Sequence, residues 1–276
     1  MATTIEKPPP ASPSRDPETE PLNGRQMSFL EHLEELRQRL LRAVLALLAG
    51  FGICFYFAKN IYNYLARPLT DSLHALGVSE KLVYTNPVDP FNLYIKLALL
   101  AGLFLASPYI LWQIWLFVSP GLYRHEKRYV WPFILLTSSL FLCGGFFAYR
   151  LAFPAALRFL IEYGRQFQPM VTINEYWDLA MSIIVAVGLV FELPVLILLL
   201  SVFGIVTPRF LWRQVRYAVL ITAVLAAAIV PTNDMASIFI VWIPLVGLYF
   251  LSIGLSWLVQ VRKRRAARRA QAEVAP

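Results

Sequence analysis

The sequence predicts an all-α integral membrane protein with six transmembrane helices and both termini on the cytoplasmic side. Three observations carry this. Only 15% of the 276 residues are charged and 58% are hydrophobic, against roughly 25% charged in an ordinary soluble domain. The charges cluster between runs of about 15 to 25 residues that are nearly free of them, the length a helix needs to cross lipid. The basic residues also alternate in density from one loop to the next, as topogenic flanks do.

The elements follow in order. Residues 1–27 carry Pro8, Pro9, Pro10, Pro13, Pro17 and Pro21 among Ser, Thr and charges, too little apolar surface to offset chain entropy, and read as a disordered cytoplasmic tail. No cleaved signal peptide is expected, because the first apolar run begins near Leu40. Ser28 and Glu31 fit a capping box that opens an amphipathic helix with Leu30, Leu33, Leu36 and Leu40 on one face. This helix is expected to lie at the membrane surface and run directly into span one.

Spans are expected at 41–58, 97–118, 129–149, 179–206, 217–230 and 235–258, within a membrane domain of 28–260. The fifth is short, roughly 21 Å at 1.5 Å per residue. With span six it should form a tight hairpin over Pro231, Thr232, Asn233 and Asp234. Ala98, Gly102 and Ala106, four apart, offer a smooth face for close helix packing on span two. Pro108, Pro132, Pro154, Pro194 and Pro244 lie inside or at the ends of spans and should kink the interior cases. Cys54 and Cys143 read as small buried hydrophobes. Trp112, Trp115, Trp131, Trp177, Trp212 and Trp257 sit near proposed span ends and read as interfacial anchors.

Lys and Arg number six in the N-terminal flank, counted through Arg42 at the start of span one, three after span two, three after span four and six in the basic tail 261–276; the alternate loops hold four, three and none. The bias, 18 against 7, places both termini inside and the loops at 59–96 and 150–178 outside. The net charge of +8 therefore reads as contact with anionic lipid, and no nucleic-acid partner is expected.

No catalytic constellation is present: there is no H-E-x-x-H, G-x-S-x-G or P-loop, and His32, His74 and His125 lack metal-ligand spacing. No enzyme, metal or cofactor is expected. Acidic residues in unusual places stand out instead. Glu192 lies in a run with no other charge, where an ionised carboxylate costs at least ~2.5 kcal/mol. It must pair, face water or a partner helix, or carry a proton; packing alone is the plainer alternative. Glu35 has Arg39 four residues on, a spacing that by itself reads as exposed helix decoration worth about 0.3–0.5 kcal/mol. Glu126 lies among Arg124, His125, Lys127 and Arg128, where charge balance suffices. Yet Glu35 and Glu126 fall on the same side, and two separated carboxylates there suit guanidinium groups. Asp234 reads first as a turn or helix-cap residue.

The segments His32-Leu33-Glu34-Glu35-Leu36-Arg37-Gln38-Arg39-Leu40, Ser107-Pro108 through Trp112-Gln113-Ile114-Trp115 to Phe117-Val118-Ser119-Pro120-Gly121-Leu122-Tyr123-Arg124-His125-Glu126-Lys127-Arg128, and Phe191-Glu192-Leu193-Pro194 together resemble the TatC family, the receptor subunits of the twin-arginine protein translocase. The resemblance runs from about 28 to 260. It implies a glove-shaped six-helix bundle in a bacterial inner membrane and a non-enzymatic receptor for signal peptides bearing two consecutive arginines. That receptor organises TatA- and TatB-type single-span partners, associates with itself and serves transport driven by the proton-motive force. By the same resemblance, Glu35 and Glu126 receive the arginine pair, with Arg37, Arg39, Phe117 and Pro120 in the same surface. Pro68 and Pro108 match functionally sensitive prolines, Glu192 the intramembrane glutamate where partner helices dock, and Asp234 the acidic residue before span six. Two features depart from the family: Phe250 stands where a span-six glutamate is common, and the turn ending at Asp234 is one residue longer.

Two other readings compete. A small-solute transporter would use Glu192 for proton coupling, but its site should gather several polar groups and the spans supply few. A membrane scaffold without cargo differs from the receptor only in signal-peptide binding.

Overall fold

The computed structural model describes residues 29–67, 82–118, 130–164, 166–167, 170–230 and 234–274, with 29, 118, 130, 131 and 262–274 as backbone only. Apolar runs become helices throughout, because in lipid each backbone N–H and C=O must be satisfied within its own segment. In order they are α1 (Phe29–Tyr56), α2 (Ala58–Leu65), α3 (Asp89–Val118), α4 (Val130–Phe147), a π-helical turn (Ala148–Ala152), α5 (Phe153–Tyr163), α6 (Ile173–Val190), α7 (Leu193–Val202), α8 (Pro208–Arg213), α9 (Val215–Ile229) and α10 (Met235–Val274).

Among the described residues, five stretches are long and apolar enough to span: Leu30–Tyr56, Asp89–Phe117, Pro132–Tyr163, Ile173–Val202 and Met235–Val261. The sixth, α9, has 15 residues and is about 22 Å long. The amphipathic N-terminal helix does run into span one as a single α1.

Several boundaries differ from expectation. Span two begins at Asp89, eight residues early, because the Asp89 carboxylate accepts from the Asn86 N–H at 2.8 Å, the Thr85 N–H at 3.2 Å and the Thr85 hydroxyl at 3.3 Å. This starts the helix well before the apolar run. Span three does not stop at 149. Pro154 has no N–H for the Arg150 carbonyl, and the turn before it loosens so that the Phe153 N–H reaches Ala148 O. The helix then continues to Tyr163, so much of the expected 150–178 loop is helical. Span four is not one helix: it breaks at Phe191 and Glu192, and Pro194 sits in the first turn of α7, where a missing N–H costs nothing. It also ends early, at Val202, before Gly204 with φ 78°, a left-handed conformation that glycine adopts without strain. Past Val261, α10 runs on into the basic tail.

Among the described residues, side-chain caps open three helices: Thr172 accepts from Glu175 N at 3.4 Å, Thr207 from Phe210 N at 3.3 Å and Asp234 from Ser237 N at 2.7 Å. The loops before α3 and α6 are tied by a parallel bridge between Val83 and Thr172. Asn174 adds a 2.8 Å bond to Asp89, and Lys96 meets Asp178 at 2.5 Å.

The core gathers Leu97, Phe153, Tyr176, Trp177, Ile183, Val187, Val241 and Leu245. Trp177 and Trp115 are 1% and 5% exposed and are therefore not interfacial anchors. Trp115 stacks on Phe133, with centroids 4.0 Å apart, and Trp177 packs against Tyr62 and Tyr176. Cys54 is buried, but Cys143 is exposed and is therefore not the buried hydrophobe its apolar run suggested.

Candidate functional site

The start of α1 lies beside the end of α3, where His32 stacks on Phe117 with centroids 4.4 Å apart and planes 16° from parallel. Glu35 follows His32 by three residues, so it shares that helix face. Its Oε1 takes both the Arg39 Nε–H, at 2.9 Å, and an Arg39 Nη2–H. The two side chains are only 19% and 17% exposed, so the pair is not the exposed decoration that its spacing suggested. The other oxygen, Glu35 Oε2, is buried with no hydrogen-bond partner among the described residues. An unmet buried acceptor costs about 1–3 kcal/mol, so a donor brought to this oxygen gains more than one offered to a solvated carboxylate. Arg37 differs: its side chain is exposed and it pairs loosely with Glu34 at 3.8 Å. The structure thus joins Glu35 to Arg39 and Phe117 to His32, one turn away on the same helix, and leaves Arg37 exposed. Pro68, Pro120 and Glu126 lie outside the described residues, as does the Ser28 half of the capping box.

A second acidic position is the break in span four. Glu192 is half-buried in the turn between α6 and α7, and its Oε1 is buried without a hydrogen-bond partner among the described residues. Aromatic rings surround this turn. Phe191 stacks on Phe147 at 5.6 Å, and Phe104 on Phe141 at 4.8 Å. Glycines make room for them: a Cβ on Gly144 would fall 2.7 Å from Phe191 Cγ, and one on Gly145 2.1 Å from Phe104 Cε1. A cavity of about 30 Å³ adjoins the break, between Val190 and Leu193 on one side and Thr222, Tyr249 and Ser252 on the other.

Pro108 lies inside α3 and is exposed. It leaves the Phe104 carbonyl without its helical donor, and the Ser107 hydroxyl supplies a replacement at 2.8 Å. The Ser-Pro pair therefore works as a unit: the proline opens the ladder and the serine closes it. Asp234 is the N-cap of α10.

Two features of these sites escaped sequence reasoning. His32 opens the His32–Leu40 segment without a role of its own in the sequence, and nothing in sequence brings it to Phe117, which is 85 positions away. The aromatic layer around Glu192 had a signal, the Gly144-Gly145 pair inside an apolar run, since adjacent glycines there weaken a helix unless close neighbours need the space.

The comparisons agree with this architecture. The family model for "Sec-independent protein translocase protein (TatC)" matches residues 31–244. The Sec-independent protein translocase protein TatC of Koribacter versatilis is 48% identical over 266 residues, covering 94% of this chain and 97% of its own. That of Aquifex aeolicus is 36% identical over 241 residues, covering 86% and 98%. A crystal structure of the twin arginine translocase receptor TatC superposes with a TM-score of 0.68 at 37% identity, over 83% of this chain and 100% of that one. With a six-helix membrane fold, a family match along most of its length and relatives covered nearly end to end, the chain belongs to the TatC family of Sec-independent protein translocase proteins.

Proposed function

We propose that this member of the family is the signal-peptide receptor and core subunit of a twin-arginine translocase, taking paired arginines at Glu35 and Glu126. The observation that carries the reading is the unmet, buried Oε2 of Glu35 beside the His32–Phe117 stack. A planar guanidinium can donate to such an oxygen and lie against an aromatic face in one pose, whereas an ammonium gives a point charge without the fork. Arg37, Arg39, Phe117 and Pro120 complete the surface. The test is competition between Arg-Arg and Lys-Lys signal peptides on the purified protein. Preferential binding of the arginine peptide is expected; equal affinity overturns the receptor reading in favour of a scaffold.

The charge bias supports a bacterial inner-membrane protein with both termini cytoplasmic. Cysteines introduced into the 68–81 and 164–172 segments, with Cys54 and Cys143 replaced, should react with an impermeant thiol reagent in intact cells. Labelling only after the cells are opened would invert the topology.

Glu192 is proposed as the docking point for the single-span helices of TatA- and TatB-type partners, with Pro68, Pro108 and Asp234 shaping the bundle that receives them and self-association completing the assembly. Its buried oxygen lacks a partner in this chain's described residues, and a second helix can bring a donor. Glu192→Gln retains a hydrogen-bonding carbonyl of the same length, so it should keep partial transport; Glu192→Ala should lose most transport and most crosslinking to the partner helix. Intact crosslinking and transport in Glu192→Ala would reduce this residue to packing.

A further inference from the structure

A groove of about 530 Å³ runs between α8 and α10, walled by Pro208, Arg209, Trp212, Ile253, Gly254 and Trp257. Its volume is in the range of small-molecule sites, roughly 300–1,000 Å³. The walls are held in place: the Tyr249 hydroxyl donates to Leu211 O at 2.7 Å, tying α8 to α10, and the buried hydroxyls of Ser201 and Ser256, 2.6 Å apart, tie α7 to α10. Gly254 keeps the groove open, since a Cβ there meets nothing within 4 Å. Trp212 and Trp257 are 66% and 58% exposed, unlike the buried Trp115 and Trp177, and Trp212 lies edge-on to Phe250 at 6.3 Å. These are the amphipathic rings that favour the headgroup level.

Charge selects the occupant. Arg209 is the one charged residue in the wall, and it has no carboxylate partner among the described residues. The chain carries no Asp or Glu between Glu192 and Asp234, nor again until Glu273, yet it places Arg209, Arg213 and Arg216 around α8 and six Lys or Arg at 262–269. An apolar slot between two exposed tryptophans, with a free guanidinium in its wall and an acid-free basic surround, fits an anionic amphiphile. We propose that this groove holds one anionic phospholipid, its phosphate on Arg209 and an acyl chain along Gly254 between Trp212 and Trp257. The inference does not depend on the signal-peptide reading.

The test uses the full chain in detergent, with retained phosphatidylglycerol and phosphatidylcholine counted by native mass spectrometry. Wild type should retain one phosphatidylglycerol about fivefold more readily than phosphatidylcholine, the preference expected from one basic contact. Arg209→Gln should bring the two lipids to near parity. Gly254→Leu should project into the slot and remove retention of either lipid, while Gly254→Ala, whose Cβ meets no protein atom within 4 Å, should leave the thermal unfolding midpoint unchanged. Parity in wild type, an undiminished preference in Arg209→Gln, or full retention in Gly254→Leu would each overturn the site.

Discussion

Glu126→Arg is expected to abolish binding of an Arg-Arg signal peptide, the largest functional effect anticipated in this chain. The substitution removes one of two proposed acceptors and adds a cation to a segment already holding Arg124, Lys127 and Arg128. Neutral variants should do less. Losing one charge-assisted acceptor costs about 2 kcal/mol, or about thirtyfold in Kd, in Glu126→Gln. Glu35→Gln should lose somewhat more, because it also strips Arg39 of the carboxylate that binds it through Nε and Nη2. The freed guanidinium then repels the incoming one. This coupling makes a specific forecast: Glu35→Gln combined with Arg39→Gln should bind better than Glu35→Gln alone. Affinity in all variants that still bind should weaken with salt, since part of the attraction is screened over about 8–10 Å. The measurement is a titration of each variant with the peptide, alongside a Lys-Lys control. If Glu35→Gln and Glu126→Gln both kept wild-type affinity and discrimination, the two carboxylates would be local charge balance, and an additive double variant at 35 and 39 would dissolve the proposed coupling.

That coupling marks the limit of what the sequence alone conveys. Spacing puts Arg39 one turn beyond Glu35, but it cannot tell that the two side chains are only 19% and 17% exposed, with one Glu35 oxygen buried and without a hydrogen-bond partner among the described residues. The spans themselves were legible because lipid imposes one rule, long apolar runs with satisfied backbone. Their ends were not, because local polar chemistry sets them. Asp89 starts α3 early and Thr172 starts α6 six residues ahead of the expected span. This carries Trp177 from an apparent membrane interface into the centre of the bundle. The break at Phe191 and Glu192 was signalled by Pro194, yet a proline that kinks a helix and one that begins the next look the same in sequence; the structure places Pro194 in the first turn of α7.

One packing feature was legible in full, the small-residue stripe on α3, and it supports the largest stability prediction. Ala98 and Ala106 are buried, and Gly102 meets α1 at Gly50. A Cβ on Gly102 would lie 2.7 Å from Phe51 N and 2.9 Å from Gly50 C, and one on Gly50 would lie 2.8 Å from Gly102 O. Every one of these contacts is backbone. At Gly145 the obstructing atom belongs to the Phe104 ring, which can turn aside; at Gly102 nothing can yield except the helices. The seam has few reserves, because α1 is buried along only 11% of its most apolar stretch. In lipid no hydrophobic force compensates for lost close packing. Gly102→Leu is therefore expected to destabilise the protein by about 3 kcal/mol, the upper end of overpacking costs. Gly247→Leu, where a Cβ meets nothing within 4 Å, should be nearly neutral. Thermal unfolding in detergent compares them directly. The separation also reaches the recognition surface: α1 carries His32 and Glu35 while α3 carries Phe117, so Gly102→Leu should loosen the ring stack and weaken peptide binding even where the protein remains folded. A Gly102→Leu variant as stable as Gly247→Leu, with unaltered peptide affinity, would mean that α1 is held by something other than this crossing.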